Sequence, residues 1–402
     1  MPDFDFRALR RFPDVEAPNL QAWDATDELL VRWALDSGVP GDEVAVIGDE
    51  YGAITLALAD AGVPGIRVHQ DLITGRRALA HNAAALGLSG WTSHELGADL
   101  LAGARMVLLQ LPKALAELEE IADAVARWAA PDATLVAGGR VKHMTLAQNE
   151  VLARRFGAVQ AQRAERKSRL IVASEPLAVP TEPPFPVRQV HDGLTLCAFG
   201  GAFAGARLDI GTRALLDAMP GLSAHFAPQL RRNGADRVES AGSGQGSGQI
   251  SGVVAGDAMQ VVDLGCGTGA LAAAFALSHP DAVVIATDRS AAAVRSARET
   301  MAANGIDGRV QVTLDDAGSE LPDASADLVL LNPPFHLGAS VHEGAGQRLI
   351  QAAARLLKPG GEVWTVFNSH LDHRRALSRD VGATEQVART PKFTVTRSVR
   401  RG

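Results

Sequence analysis

The chain has 402 residues, 47% of them hydrophobic, and carries a net charge of −7. This balance is typical of a soluble globular protein with more than one domain. It excludes a uniformly basic nucleic-acid-binding surface, so RNA or DNA contacts must use a local patch. The two cysteines lie far apart without metal-type spacing, which suits a reducing cytosol and predicts no disulfide and no metal site. The acidic N-terminus and the absence of a long apolar run predict a cytoplasmic protein without a membrane segment.

The first part of the chain alternates short apolar strands with helices. The first 40 residues are predicted to be mostly helical, with an amphipathic segment from Trp23 to Leu35. Strands are predicted at 44–48, 66–71, 106–110, 133–137 and 170–173, with helices ending near Gly62 and at 74–86 and 115–129. This β–α alternation indicates a parallel sheet with helices on both faces.

A proline-rich segment separates this part from the rest. Residues 176–186 contain five prolines, so we expect 179–186 to be a semi-rigid linker between a domain at 1–178 and a domain at 187–402. The Asp192-Gly193 pair predicts a hairpin turn within 188–196. The Gly/Ser-rich stretch 240–252 predicts a flexible insertion, and a second β–α series begins at Gln260.

The two series repeat each other. Gly48 and Asp71 are 23 positions apart, as are Gly265 and Asp288, and each series later reaches an amide residue at a strand end. We therefore predict two copies of one fold, called here the first copy (1–178) and the second copy (187–402). Glu50 stands in the first copy where the second has Gly267, which puts bulk and negative charge where a ligand would approach. The first copy is predicted to be degenerate.

A glycine-rich turn in the second copy predicts a cofactor site. The strand 261–264 runs into Gly265, Gly267 and Gly269 before a helix, and these glycines let the backbone turn tightly near a ligand. Asp288 ends the next strand, where a carboxylate can accept both hydroxyls of a ribose. Asp263 would repel a pyrophosphate but could help hold a cationic amino-acid group, which favours S-adenosylmethionine over a dinucleotide.

The third strand of this copy ends in a polar loop. Residues 310–314 form the strand, and Asp315, Asp316 and Ala317 follow it. A polar side chain and a backbone N–H at this tip can read the edge of an adenine. Asp316 and Ala317 are therefore predicted to bind the cofactor.

The fourth strand ends in Asn332-Pro333-Pro334-Phe335. Two prolines stiffen the loop and restrict Asn332 to extended backbone. The Asn332 side-chain oxygen and the Pro333 carbonyl can accept both N–H groups of a planar amine, while Phe335 can stack on its ring. These three residues are predicted to be catalytic. A proline turn with Phe335 in the core is the simpler alternative.

Together these motifs resemble class I methyltransferases. The Asp263–Gly269 turn is similar to their first motif, and Asn332–Phe335 is similar to the motif of enzymes that methylate amino groups. The Leu208–Arg213 segment and His336 extend the likeness to bacterial ribosomal RNA guanine-N2 methyltransferases, which have an inactive first domain. The resemblance implies two tandem Rossmann-like α/β domains, an RNA-binding or scaffolding role for the first, and a monomeric enzyme acting on ribosomal RNA or a ribosomal subunit. It also implies substrate contacts from Asp209, Arg213, Pro334 and His336.

Two other functions fit the same residues. The amine could belong to adenine in nucleic acid or to glutamine in a protein factor. A non-catalytic RNA-binding protein of ribosome assembly is the third reading, and the intact cofactor motifs argue against it. The five basic residues between 389 and 401 suit either an RNA-contact patch or a solvated terminal hairpin.

Overall fold

The computed structural model describes residues 4–219, 258–333, 342–371 and 373–402. These residues contain one seven-stranded mixed sheet in each copy and a separate two-stranded sheet. The predicted insertion at 240–252 and the predicted site residues Pro334, Phe335 and His336 lie outside the described residues.

The first copy alternates strands and helices over its whole length. Its strands are β1 Val44–Ile47, β2 Ile66–His69, β3 Trp91–Ser93, β4 Met106–Gln110, β5 Thr134–Arg140, β6 Phe156–Ala161 and β7 Ser168–Pro176. Its described helices are α1 Ala25–Ser37, α2 Ala53–Asp60, α3 Ile73–Leu86, α4 Ala98–Leu101, α5 Leu115–Trp128 and α6 Leu146–Ala153. β3, α4, α6 and β6 were not predicted, because they are short or weakly patterned.

The second copy begins with a hairpin and then repeats the series. Its described strands are β8 Val187–His191, β9 Leu194–Ala198, β10 Gln260–Leu264, β11 Val283–Asp288, β12 Val310–Leu314, β13 Ala326–Leu331, β14 Leu357–Asn368, β15 Gly382–Arg389 and β16 Phe393–Arg400. Its described helices are α7 Ile210–Ala218, α8 Ala270–Ser278, α9 Ala291–Ala303, α10 His342–Leu356 and α11 His373–Asp380.

The two large sheets have the same topology. The first has the strand order β3-β2-β1-β4-β5-β7-β6, and the second has the order β12-β11-β10-β13-β14-β16-β15. In each sheet the strands are parallel except at one end, where β7 or β16 runs antiparallel to both neighbours. The predicted fold class, two tandem Rossmann-like copies, is confirmed. Parallel strands place their carboxyl ends at one edge, where α/β folds bind ligands.

The first 24 residues differ from the prediction. Apart from one short 3-10 turn, the described part of this segment is not helical, because Pro13 and Pro18 interrupt it. Instead it lies over the first copy. The Arg11 guanidinium stands 4.6 Å from the centre of the Tyr51 ring, and the Tyr51 hydroxyl donates to Asp14 at 3.0 Å. The segment therefore covers the glycine turn of the first copy.

The hairpin β8–β9 packs on α9, and its turn forms as predicted. Asp192 and Gly193 both have positive φ, as a two-residue hairpin turn requires. The Thr195 N–H donates to Asn304 Oδ1 at 3.0 Å, which ties the hairpin to the end of α9. This hairpin covers the face of α9 that lies away from the sheet.

The proline-rich segment is held against the first copy. The Arg127 guanidinium on α5 donates to the carbonyls of Pro180 and Thr181 at 2.9 and 3.2 Å. These contacts restrict the segment more than its composition alone would. Among the residues that the structure describes, none of the helices combines the length and apolar character that a membrane crossing needs.

Candidate active site

The strand ends of both copies open into one cleft of about 1410 Å³. Sites for a single small ligand usually measure roughly 300–1,000 Å³. The cleft is therefore large enough for two ligands side by side. The predicted site residues that line it are Asp209, Asp263, Gly265, Gly267, Asp288, Asp316, Ala317, Asn332 and Pro333.

The glycine turn of the second copy presents bare backbone to the cleft. Gly265 and Gly267 have φ of +77° and +54°, and a Cβ atom at either position would meet no atom within 4 Å. Gly269 differs, because a Cβ there would lie 2.7 Å from the Met301 side chain and 3.0 Å from Ala297 Cβ. Gly269 therefore allows α8 and α9 to pack closely. Its predicted role in cofactor binding stays a prediction.

Asp288 links the tip of β11 to this turn. Its carboxylate accepts hydrogen bonds from the Gly267 and Ser290 N–H groups, each at 2.9 Å. Each oxygen keeps a lone pair that a ribose hydroxyl could use. Burial raises the pKa of Asp288, and the two hydrogen bonds oppose that rise.

Asp263 lies deeper, at the base of the turn. It is 1% exposed, and its carboxylate accepts the Ala272 N–H of α8 at 2.9 Å. Burial raises the pKa of Asp263 to about 7; the Ala272 hydrogen bond opposes this and the nearby Asp288 charge adds to it. The carboxyl group therefore changes charge near neutral pH, and a cation in the cleft would favour its ionised form.

The tip of β12 brings Asp316 and Ala317 to the cleft. The Asp316 carboxylate pairs with Arg348 on α10, and Ala317 has a φ of +55°. A positive φ is uncommon for alanine and persists only where its surroundings hold it. Arg348 was not predicted, because nothing in its local sequence distinguishes it from other helical arginines.

Asn332 is held in one orientation. Its amide nitrogen donates to Asp209 Oδ2 at 3.1 Å and to Thr212 Oγ1 at 2.9 Å. A carboxylate can only accept, so the amino end of the carboxamide must face Asp209. Both amide hydrogens are then used, and the Asn332 Oδ1 atom remains an acceptor. Pro333, which follows it, is buried and lines the cleft.

Two predicted substrate residues have other partners. The Asp209 carboxylate accepts the Gly211 and Thr212 N–H groups at the start of α7, in addition to Asn332. It therefore positions Asn332. Arg213 pairs with Asp192 in the hairpin turn at 3.0 Å and is not among the residues that line the cleft. Its predicted substrate contact stays a prediction. Thr212 was missed, although it belongs to the Leu208–Arg213 segment that the sequence singled out.

The equivalent turn in the first copy carries acidic side chains. Glu50 replaces Gly267 and lines the same cleft. The Asp49 carboxylate is buried and accepts the N–H and the hydroxyl of Thr55, both at 2.8 Å. The Gln110 amide donates to the buried Asp27. The turn of the first copy thus carries two carboxylates, which agrees with the prediction that this copy is degenerate.

The basic C-terminal segment makes internal contacts. Arg397 pairs with Glu362 and Glu385, and Arg400 donates to backbone carbonyls that include those of Arg355 and Leu357, at 3.1 and 2.9 Å. The reading as a terminal hairpin, β15–β16, therefore accounts for these two arginines.

Comparisons with known proteins give consistent results. Residues 2–177 match the family model "RLMG N-terminal domain", and residues 250–397 match "Methyltransferase small domain". The ribosomal RNA large subunit methyltransferase G of Streptomyces avermitilis is 34% identical over 405 residues, covering 98% of this chain and 97% of the relative. The protein of that name from Ectopseudomonas mendocina is 34% identical over 404 residues, covering 98% and 99%.

A solved structure shares the whole fold. The T. thermophilus 16S rRNA N2 G1207 methyltransferase, in complex with AdoMet and guanosine, superposes with a TM-score of 0.69 at 21% identity. The match covers 96% of this chain and 97% of that one, so the two-copy arrangement is common to both.

Proposed function

Because this chain belongs to the ribosomal RNA large subunit methyltransferase G family, we propose that it methylates the exocyclic N2 amine of a guanine in large-subunit ribosomal RNA. The observation that carries this proposal is the Asn332 carboxamide, whose amino end is fixed by Asp209 and Thr212 and whose oxygen remains an acceptor. The T. thermophilus structure, which contains AdoMet and guanosine, supports guanine as the base.

The second copy fits S-adenosylmethionine. The bare turn at Gly265 and Gly267 leaves open space for a ligand, and the lone pairs of Asp288 suit a ribose. Asp263 would face the cationic amino group, and Asp316 would lie at the adenine together with its neighbour Ala317. When bound, S-adenosylmethionine supplies an electrophilic methyl group.

Asn332 and Pro333 would activate the amine. The lone pair of an exocyclic nitrogen is delocalised into the base, which makes it a poor nucleophile. Acceptors on both N–H bonds, the Asn332 Oδ1 atom and the Pro333 carbonyl, favour a pyramidal nitrogen and localise that pair. They bind more strongly as positive charge develops, so they stabilise the transition state selectively. The hydrogen bonds from Asn332 to Asp209 keep the acceptor oriented beforehand.

The target base must leave its helix to reach this site. Sequence-specific RNA recognition uses unstacked bases, and enzymes that modify a base turn it out of the stack. Phe335, predicted from the sequence to stack on the ring, would fix the plane of the base. The ammonium product loses a proton readily, so the reaction needs no strong general base.

Transfer of labelled methyl groups from S-adenosylmethionine tests this function. We expect label in large-subunit rRNA, recovered as N2-methylguanine after digestion to nucleosides. Small-subunit rRNA, assembled subunits, DNA and release factor serve as parallel substrates. Label in adenine or protein would replace the proposed target, and protein that neither transfers a methyl group nor binds S-adenosylmethionine would be a non-catalytic RNA-binding protein.

We propose that the first copy contacts RNA through a basic platform formed by Lys142, His143, Arg163 and Lys167. All four side chains are exposed, and none has an acidic partner within the part of the chain that the structure describes. The Val141 N–H donates to the Lys167 carbonyl at 3.0 Å, which joins the two loops that carry them. His143 also lines the cleft, so an RNA strand on the platform could reach the site. A net charge of −7 makes this local cluster distinctive.

The double variant Lys142→Ala/Lys167→Ala tests the platform. We expect a higher KM for rRNA and a shallower dependence of RNA affinity on salt, with S-adenosylmethionine affinity unchanged. Arg105→Ala is the matched control, because Arg105 precedes β4 at the opposite end of the sheet. An unchanged KM for rRNA in the double variant would contradict the RNA contact.

We also propose a cytoplasmic monomer. The second copy already has a folded partner in the same chain, and the docked first copy supplies half of the cleft. The molar mass in solution, measured by light scattering with and without rRNA, tests this expectation; a stable dimer would contradict it.

A further inference from the structure

The two copies dock through equivalent strand tips. The backbone of Leu72 pairs with that of Ser290 in an isolated β-bridge. The Ile73 N–H donates to the Arg289 carbonyl at 2.9 Å, and the Ala291 N–H donates to the Asp71 carbonyl at 2.9 Å. The loop after β2 therefore lies directly on the loop after β11, which carries the proposed ribose-binding acid.

Asp71 has a new role in this interface. It is the first-copy counterpart of Asp288, yet its carboxylate accepts the Ala292 N–H of the second copy at 2.7 Å. Negative charge at a helix N-terminus is favourable, so Asp71 stabilises the start of α9. The position that would bind a ribose in the first copy supports the cofactor side of the second copy instead.

Arg77, four residues after the start of α3 at Ile73, contacts the loop that follows β12 in the second copy. Its Nη2 atom lies 3.0 Å from Asp315 Oδ1 and 3.1 Å from Glu320 Oε1, and its Nη1 atom lies 3.2 Å from Ser319 Oγ. The Asp315 side chain is only 3% exposed, whereas that of Glu320 is 73% exposed. The main partner of Arg77 is therefore a buried carboxylate of the other copy.

The loop from Asp315 to Glu320 is organised around that carboxylate. Asp315 accepts the Asp316 and Glu320 N–H groups at 2.8 and 2.9 Å and the Ser319 hydroxyl at 2.5 Å. Burial would raise the pKa of Asp315, but hydrogen bonds from Ser319, Glu320 and Arg77 outweigh it and hold the pKa below its usual value. A buried charge that loses its partner is costly, so the loop depends on Arg77.

We propose that Arg77 of the degenerate copy is a positioning residue for S-adenosylmethionine. It holds the loop in the shape that brings Asp316 and Ala317 to the cleft, with Ala317 in its unfavourable positive-φ conformation. The inference rests on the proposed assignment of these two residues to the adenine. It makes the cofactor affinity of the second copy a property of both copies.

Calorimetric titration of the full chain with S-adenosylmethionine tests the proposal. We expect Arg77→Ala to weaken binding about 10-fold, which corresponds to the loss of about 1.4 kcal/mol. The KM for S-adenosylmethionine should rise by a similar factor, while kcat at saturating cofactor and the KM for rRNA stay within about twofold of wild type. Arg77→Lys keeps the positive charge but loses the planar guanidinium that contacts Asp315 and Ser319 together. We therefore expect it to recover part of the affinity.

Two control variants separate this role from general stability. Arg76→Ala removes the neighbouring arginine, which pairs with Glu95 at 2.7 Å and donates to the Gln70 carbonyl at 2.6 Å, both inside the first copy. Glu320→Gln removes only the exposed partner of Arg77. Both should bind S-adenosylmethionine within about twofold of wild type, because these contacts of Arg76 lie within the first copy and the exposed pair with Glu320 contributes little.

The outcomes distinguish this proposal from the proposed function. Wild-type protein that fails to bind S-adenosylmethionine would contradict the cofactor assignment itself. If wild type binds and Arg77→Ala binds equally well, Arg77 does not position the cofactor. A lower melting temperature with unchanged Kd would likewise overturn the proposal, since it would reduce Arg77 to a structural contact. If Arg77→Ala does not fold, the Kd of Arg77→Lys for S-adenosylmethionine tests the proposal instead. A Kd equal to that of wild type would contradict it.

Discussion

The first turns of the two copies keep the same shape and differ in what they leave open. Gly52 and Gly269 both begin a helix with positive φ, and a Cβ atom at either would collide with the following helix: 2.6 Å from Leu79 Cδ1 in the first copy and 2.7 Å from Met301 Cε in the second. Both copies need this glycine to pack. It belongs to the fold, whether or not a cofactor binds.

The copies also place a carboxylate at the same helix position. In the first copy Asp49 accepts the Thr55 N–H, and in the second Asp263 accepts the Ala272 N–H. Thr55 and Ala272 correspond in the repeat, but the two acids come from different positions. In the first copy the acid lies in the turn itself. In the second it lies at the strand end, and the turn stays open.

The glycine at Gly52 and Gly269 thus maintains the fold in both copies, whereas other positions of the turn and the strand end differ between them. Gly267 faces open space where the first copy has Glu50, and Asn332 occupies the strand end where the first copy has Gln110.

The largest effect is expected for Asn332→Ala. Loss of the oriented acceptor should lower kcat by about 10²- to 10³-fold, the usual cost of removing one transition-state hydrogen bond. S-adenosylmethionine affinity should stay within about twofold, as measured by calorimetry. The matched variant Gln110→Ala changes the equivalent residue of the first copy and should leave kcat unchanged. A collapse of cofactor affinity in Asn332→Ala would refute the assigned role.

Gly267→Glu should give the glycine turn of the second copy the side chain that the first copy has at Glu50. The new side chain would enter the cleft beside Asp288 and would strain a backbone with φ of +54°. We expect about 100-fold weaker S-adenosylmethionine binding, or about 3 kcal/mol, with the circular dichroism spectrum retained. Glu50→Gly is the reciprocal variant and should leave the stoichiometry at one cofactor per chain. Undiminished binding in Gly267→Glu would show that the open turn is not the site.

The pH dependence of cofactor binding should report on Asp263. Burial raises its pKa to about 7 in the free protein, and a bound cationic amino group should lower it. Binding then releases a proton, so affinity should increase by up to about 10-fold between pH 6 and 8 and level off above about pH 8. Asp263→Asn should bind with a flat profile over this range. An equally steep profile in that variant would assign the proton to another group.

The smallest effect is expected for Arg213→Ala. Arg213 pairs with Asp192 at the surface, and such pairs contribute about 0–1 kcal/mol to the free energy of unfolding. Chemical denaturation should detect at most this loss, and kcat/KM for rRNA should match wild type. A fall in kcat/KM would return Arg213 to the substrate site, where the sequence had placed it.

Much of the fold was predictable from the sequence. The strands that lead into the cleft are short apolar runs with clear ends, and the repeated glycine-to-acid spacing revealed the duplication. The likeness to ribosomal RNA guanine-N2 methyltransferases is confirmed by the curated relatives. β3 and β6 were missed because β3 has three residues and β6, Phe156–Ala161, contains a glycine and only one β-branched residue.

Site residues were predictable from the sequence only where they directly follow a predicted strand. Asn332 follows directly from the strand and the prolines around it. The packing contact of Gly269 and the ion pair of Arg213 could not be predicted, because spacing along a motif does not say which neighbour a residue meets. The local sequence likewise gives no indication of the role of Arg77, because its partners lie more than 230 positions away in the sequence. Only the packing of the two copies reveals it.

The contact at Asp71 makes the second copy depend on the first. Once the acid of the first copy caps α9 of the second, ribose binding there competes with the folding of its neighbour. Restoring a glycine at Glu50 would reopen the turn but would not release Asp71. A glycine at position 50 alone would therefore not give the first copy a free ribose-binding acid. The first copy thus serves as a structural support of the second.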